Sequence, residues 1–148
     1  MYYRKVILTL ENRFPEIDQL TNKQNDALFA LLNREDVFGI LPTGHGKSII
    51  FQLLADFCHV LSLRGYDYPR NAIVLVICPL KSLIDSHIRE LHYHGITATS
   101  LTGDEIDESG ILKGKYSYVF ASPEAILQNE KRRKMLESDV YRANLFVN

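Results

Sequence analysis

Eight consecutive residues, Leu41-Pro42-Thr43-Gly44-His45-Gly46-Lys47-Ser48, bring two glycines, a lysine and a hydroxyl into one short segment. Gly44 and Gly46 free the backbone to curl, so that successive N–H groups point at a single anionic centre. Lys47 then reaches the β- and γ-phosphates of a triphosphate, and the Ser48 hydroxyl ligates Mg²⁺. Pro42, Thr43 and His45 supply the rest of the cradle, with His45 facing solvent between the glycines. The general pattern G-x-x-x-x-G-K-[ST] asks for glycine at position 41, where this chain has Leu41.

A phosphate loop is most credible where a strand delivers it and a helix receives it. Residues 36–41 form a short apolar run stopped by Pro42, which reads as a buried strand. Residues 48–63 are apolar almost all round and close at Gly65, which reads as one largely buried helix. Upstream, Ala27, Leu28, Ala30, Leu31 and Leu32 keep helical spacing, and Thr21 with Gln24 fits a capping box. Downstream, residues 73–78 are uniformly apolar and mostly β-branched, as in a strand covered on both faces. Ser82 is placed to cap a helix carrying Leu83, Ile84, Ile88 and Leu91, with Gly95 beyond its end. A strand over 96–101, an acidic loop (Asp104, Glu105, Asp107, Glu108), a strand over 118–121 and a helix opening at Pro123 follow. Leu145-Phe146-Val147 reads as the start of one more strand. Such βα alternation predicts a mostly parallel sheet sandwiched by helices.

At 148 residues the chain is one ordinary domain, and its net charge of −1 gives no overall attraction for nucleic acid. Any such contact must be made by local groups. The longest unbroken apolar run, residues 72–80, is nine residues, too short to span a bilayer. No membrane partner and no signal peptide are expected. Cys58 and Cys78 lie in apolar stretches, which suits a reducing intracellular compartment, nuclear or cytoplasmic. His92 and His94 stand two apart near a helix end, so they share no metal-binding face.

The segment 42–48 resembles the phosphate loop of superfamily 2 helicases, and residues 24–124 resemble the first RecA-like domain of RecQ-family DNA helicases, in the same motif order. The resemblance implies an α/β, P-loop NTPase (RecA-like) three-layer sandwich, incomplete at its C-terminus. It divides the chain into an N-terminal extension, 1–20, and a partial ATP-binding domain, 21–148. It implies ATP and Mg²⁺ as cofactors, held by Gln24, Pro42, Thr43, Gly44, His45, Gly46, Lys47 and Ser48. Gln24 lies 23 residues before Lys47, the family spacing of its adenine-reading glutamine. Gln24 also reads simply as the capping-box partner of Thr21. Where the family tends to place an aromatic and an arginine before that glutamine, this chain has Leu20 and Thr21. Gln52 matches a further family position after the loop.

Three other segments resemble family contacts to a DNA strand. Pro79, Leu80, Lys81 and Ser82 follow the second strand, Thr102 and Gly103 the third, and Ser122, Pro123 and Glu124 the fourth. In an open α/β sheet these strand ends lie on the ligand-binding edge. Each has a plainer reading: Ser82 as a helix cap, and Ser122-Pro123-Glu124 as an ordinary helix start. The basic run Lys131-Arg132-Arg133-Lys134 reads mainly as a solvated helix face.

Hydrolysis in this fold needs an apolar strand ending in Asp-Glu, and the 148 residues contain none. The expectation is therefore a fragment: the ATP- and DNA-binding N-terminal part of a 3′-5′ DNA helicase. By itself it would neither hydrolyse ATP nor unwind DNA, and its partners would be DNA and a second RecA-like domain. Two alternatives stand beside it, a non-catalytic nucleotide- or nucleic-acid-binding module and a P-loop small-molecule kinase. The kinase reading leaves the strand-end segments without a role.

Overall fold

The computed structural model describes residues 14, 20–40, 46–103 and 105–145. In chain order these form α1 (Asn22–Leu32), α2 (Lys47–Gln52), α3 (Leu54–Leu63), β1 (Val74–Ile77), α4 (Lys81–Tyr93) and β2 (Ala98–Ser100). Then come α5 (Glu108–Leu112), β3 (Tyr118–Ala121), α6 (Pro123–Leu127), α7 (Glu130–Leu136) and α8 (Asp139–Asn144). The three strands are parallel in the order β1-β3-β2, with Val74 and Ala98 both opposite Tyr118 and Ile77 opposite Ala121.

The period of two along each strand divides its side chains between two cores. Val74, Tyr118 and Phe120 pack with Leu28, Leu32, Phe57, Leu61, Ile84 and Leu91 of α1, α3 and α4. Ile73, Val119 and Ala121 pack on the other side with Leu101, Ile111, Met135 and Tyr141. All four residues of β3 are buried, so the sheet is the middle of three layers, as the alternation predicts.

Several local readings are corrected. Residues 36–40 are not a strand: Phe38 is 92% and Ile40 81% exposed, and the segment lies beside Ala27, Ala30, Ile50 and Phe51 of α1 and α2. A strand needs a ladder partner, and among the described residues the outer flank of β1 is met only by an isolated parallel bridge between Ile73 and Leu145. Leu41 lies outside the described residues, as do Phe146 and Val147 of the strand expected after Leu145. Ile77 is 49% exposed, and β1 is not covered on both faces along its length.

The helix expected over 48–63 is broken at Leu53 into α2 and α3. The Tyr118 hydroxyl fills the break, donating toward the Gln52 and Phe51 carbonyls at 2.6 and 2.8 Å and accepting from the Ala55 N–H at 3.2 Å. Ser82 does not cap α4. That helix starts two residues earlier than a Ser82 cap would set it, with Leu80 extended at its N-cap and no side-chain cap bond. The acidic loop contains α5, because the Asp107 carboxylate accepts from the Gly110 N–H and so caps a turn. The single helix opening at Pro123 is three short ones, α6, α7 and α8, with Ser122 and Asn129 side chains capping the first two.

Candidate functional site

The helix that begins at Lys47 follows Gly46, whose φ of 68° is left-handed. Gln24 reaches this point from α1. Its Nε2 donates to the Gly46 carbonyl at 3.2 Å, and its Oε1 accepts from the Thr21 N–H at 2.9 Å. The Thr21 hydroxyl accepts from the Gln24 N–H at 3.2 Å, which completes the capping box. Gln24 therefore serves as the capping-box partner and also braces the exit of the loop. The left-handed turn favours glycine at Gly46, and a Cβ built there would lie 2.6 Å from Gln24 Nε2 and displace that amide.

Pro42, Thr43, Gly44 and His45 lie outside the described residues. Lys47 is exposed and Ser48 half-buried, and among the described residues neither is engaged in a hydrogen bond or ion pair. Helix α2 runs against the direction of β3: Gln52 sits over Tyr118 at the start of the strand, and the Phe51 ring lies 6.2 Å from that of Phe120 two residues on. Its first residues, Lys47 and Ser48, therefore point toward the carboxyl edge of the sheet. A cavity of about 560 Å³ adjoins Lys47, lined by Lys23, Asp26, Phe38, Ile40 and neighbouring apolar residues.

Because all three strands are parallel, their carboxyl ends share that edge, and each ends in one of the expected strand-contacting segments. Pro79, Leu80, Lys81 and Ser82 are exposed beyond β1, at the uncapped start of α4. Thr102 and Gly103 follow β2 in a turn that accommodates the φ of 109° at Gly103. Ser122, Pro123 and Glu124 follow β3. The structure joins two of these turns: the Ser122 N–H donates to the Thr102 hydroxyl at 2.8 Å, and the Thr102 N–H to the Ser100 hydroxyl at 2.9 Å. The Ser122 hydroxyl accepts from the Ala125 N–H at 3.2 Å, so it caps α6 as an ordinary helix start does. Among the described residues no hydrogen bond links Lys47 or Ser48 to these turns.

Two residues that contact the candidate segments carry no signal in the sequence that would single them out. Tyr118 reads as one more apolar strand residue, yet its hydroxyl holds the break after the Lys47 helix. Arg132 belongs to a basic run that looks solvated, yet its Nη2 donates to the Gly103 carbonyl at 2.8 Å. Gln52 is 2% exposed, and its Nε2 has no hydrogen-bond partner among the described residues. His92 is structural, its Nε2 lying 3.0 Å from the Ala98 carbonyl. Among the described residues no cluster of metal-binding side chains occurs, and no helix is long and apolar enough to cross a membrane.

A parallel sheet between helical layers, with Gly-Lys-Ser at a helix start and three strand-end turns on one edge, defines a RecA-like P-loop α/β domain. Residues 21–147 match the DEAD/DEAH box helicase family, and the chain belongs to that family. It is similar to the ATP-dependent DNA helicase Q-like 4B of Arabidopsis thaliana, 32% identical over 122 residues, covering 77% of this chain and 10% of that protein. It is also similar to the ATP-dependent DNA helicase Q1 of Mus musculus, 33% identical over 107 residues (72% and 14%). With the ATP-dependent DNA helicase RecQ of Haemophilus influenzae the identity is 28% over 112 residues (72% and 16%). The chain thus spans a fifth or less of the length of the curated relatives it matches.

Proposed function

We propose that this chain is the ATP-binding and DNA-binding part of a RecQ-type, 3′-5′ DNA helicase, with residues 21–148 the RecA-like domain and 1–20 an N-terminal extension. The observation that carries this reading is the start of α2: accessible Lys47 and Ser48 follow a left-handed Gly46 whose carbonyl is tied to Gln24. In the bound state Lys47 pairs with the β- and γ-phosphates, and backbone groups of Pro42, Thr43, Gly44, His45 and Gly46 surround the triphosphate. Gln24 reads the adenine edge by releasing its amide from Gly46. The half-buried Ser48 hydroxyl, without a hydrogen bond among the described residues, fits a Mg²⁺ ligand, and that cation would offset phosphate charge when bound.

DNA lies along the carboxyl edge of the sheet. Backbone groups and side chains of Pro79, Leu80, Lys81 and Ser82, of Thr102 and Gly103, and of Ser122, Pro123 and Glu124 face its phosphates and sugars. The uncapped first turn of α4 presents N–H groups there, with Lys81 adding charge. Hydrolysis and unwinding draw on groups outside these 148 residues: an Asp-Glu strand end and a second RecA-like domain closing on the same nucleotide. The site of action is the intracellular compartment that holds DNA, nuclear or cytoplasmic.

The test is equilibrium ATP binding by the wild type and Lys47→Ala, then single-stranded DNA binding at two salt concentrations. Lys47→Ala is expected to weaken ATP binding by about tenfold or more, the equivalent of one lost charge-assisted contact. DNA affinity is expected to fall steeply with salt. Unchanged ATP affinity removes the cradle, and salt-insensitive DNA binding removes the phosphate contacts.

A further inference from the structure

The basic run on α7 has a different task from the one its charge suggests. Lys131 Nζ pairs with Glu108 at 3.1 Å, and Lys134 Nζ with Glu130 at 3.2 Å, so two of its cations are spent on neighbouring carboxylates. Arg132 points back to the sheet edge, its Nη2 2.8 Å from the Gly103 carbonyl. Asn129 fixes the register of this helix by accepting from the Arg132 N–H at 3.1 Å, and Met135 anchors its other face in the core beside Ile111 and Leu101.

The Thr102–Gly103 turn is consequently held from three directions: by Ser100 of its own strand, by Ser122 at the end of β3, and by Arg132. The last contact differs in kind. A carbonyl oxygen facing a phosphate repels it, whereas a guanidinium that engages that oxygen turns the peptide away and puts positive charge behind the turn. Gly103, at φ 109°, has open space where a Cβ would stand, so no side chain of its own packs there to hold the turn. Among the described residues the contact to its carbonyl comes from Arg132.

We infer that α7 is a brace for the nucleic-acid-facing turn at Thr102–Gly103, with Arg132 a positioning residue that orients the Gly103 peptide without touching the bound strand. This rests on the DNA-binding reading above, and it assigns Arg132 a role distinct from phosphate contact.

The experiment is fluorescence anisotropy with labelled oligo-dT over a salt series, for the full chain and three variants, with a thermal melt and ATP binding on each. Arg132→Met keeps the aliphatic stem and loses the donor. Its DNA affinity is expected to fall about five- to tenfold, with an unchanged slope of log affinity against log salt and unchanged ATP affinity. Arg132→Lys, which keeps charge and a donor, is expected to recover most of the loss. Lys131→Ala, equal in charge to Arg132→Met, is expected to stay within about twofold of wild type, as for an exposed pair.

DNA affinity unchanged in Arg132→Met overturns the brace. A slope shallower by about one in that variant also overturns it, because Arg132 would then be a phosphate contact itself. Loss of ATP binding, or melting below assay temperature, in Arg132→Met overturns it in favour of a fold-wide role. Wild type that binds no DNA fails the underlying reading and the brace with it, whereas a binding wild type with an indistinguishable Arg132→Met fails the brace alone.

Discussion

The hydroxyl of Tyr118 lies 2.6 Å from the carbonyl oxygen of Gln52, sixty-six residues away in sequence. That contact ties the first residue of the central strand to the last residue of the helix that opens with Lys47. The chain interrupts its helix at Leu53, and one side chain from the sheet takes up backbone groups left over on both sides of the interruption. Tyr118→Phe keeps the ring and leaves those groups buried and short of a partner. Chemical denaturation should show a loss of about 1–3 kcal/mol, and a change within about 0.5 kcal/mol would show that water replaces the hydroxyl.

Gly46→Ala faces two obstacles, a left-handed backbone that costs about 1–2 kcal/mol for an L residue and the Gln24 amide 2.6 Å from the new Cβ. Stability and triphosphate affinity should both fall. The second obstacle vanishes once the amide is removed, so Gly46→Ala should cost less in a Gln24→Ala background than in the wild type. Strictly additive losses would mean that the amide and the glycine are independent.

The Asp107 carboxyl lies below the usual carboxylate range, held there first by the Tyr116 hydroxyl and then by the Gly110 N–H. A lowered carboxyl stabilises the fold above its unfolded value, near pH 4, and the gain disappears as the pH falls through the lowered value. The melting temperature of Asp107→Asn should therefore sit below that of wild type at neutral pH and converge with it in acid. The same bond raises Tyr116, so this contribution persists past the usual tyrosine range and is lost as the phenol ionises. A constant gap across the acid range would remove the assignment.

Among the described residues the outer flank of β1 is met only by the Ile73–Leu145 bridge, and Ile77 at its end is exposed. Edges of that kind pair with other chains. Sedimentation of the 148-residue chain at micromolar concentration should show self-association, and Ile77→Lys should reduce it. A monodisperse monomer at that concentration, with native-like far-UV circular dichroism, would contradict this.

The elements whose hydrophobic period is local were legible: the Thr21/Gln24 capping box, β3 over Tyr118–Ala121, and the helix start at Pro123 all stand where their residues place them. Most of the differences share a cause, a partner remote in sequence. Residues 36–40 are apolar enough for a strand, but a ladder is a property of neighbours. The break at Leu53 is set by Tyr118, and the role of Arg132 by a carbonyl that no pattern in the run announces. Ser82 is the local exception: it is a fair cap by type, but the extended Leu80 starts the helix two residues sooner. The sequence puts Gly-Lys-Ser at a helix start and the three segments after strands, and the structure places them there; their singling out came from the family resemblance. The dual use of Gln24 was not legible, since capping and loop contact ask for the same amide.

The strand order β1-β3-β2 means that the chain's numbering and its layout along the rim disagree. A polymer stretched across the three turns would meet Ser82 first, then Ser122 and only then Thr102. Photo-crosslinkers spaced along one oligonucleotide should report that scrambled sequence of attachment. Consecutive probes would therefore land on peptides that are distant in a digest map yet neighbours about 5 Å apart across the strands.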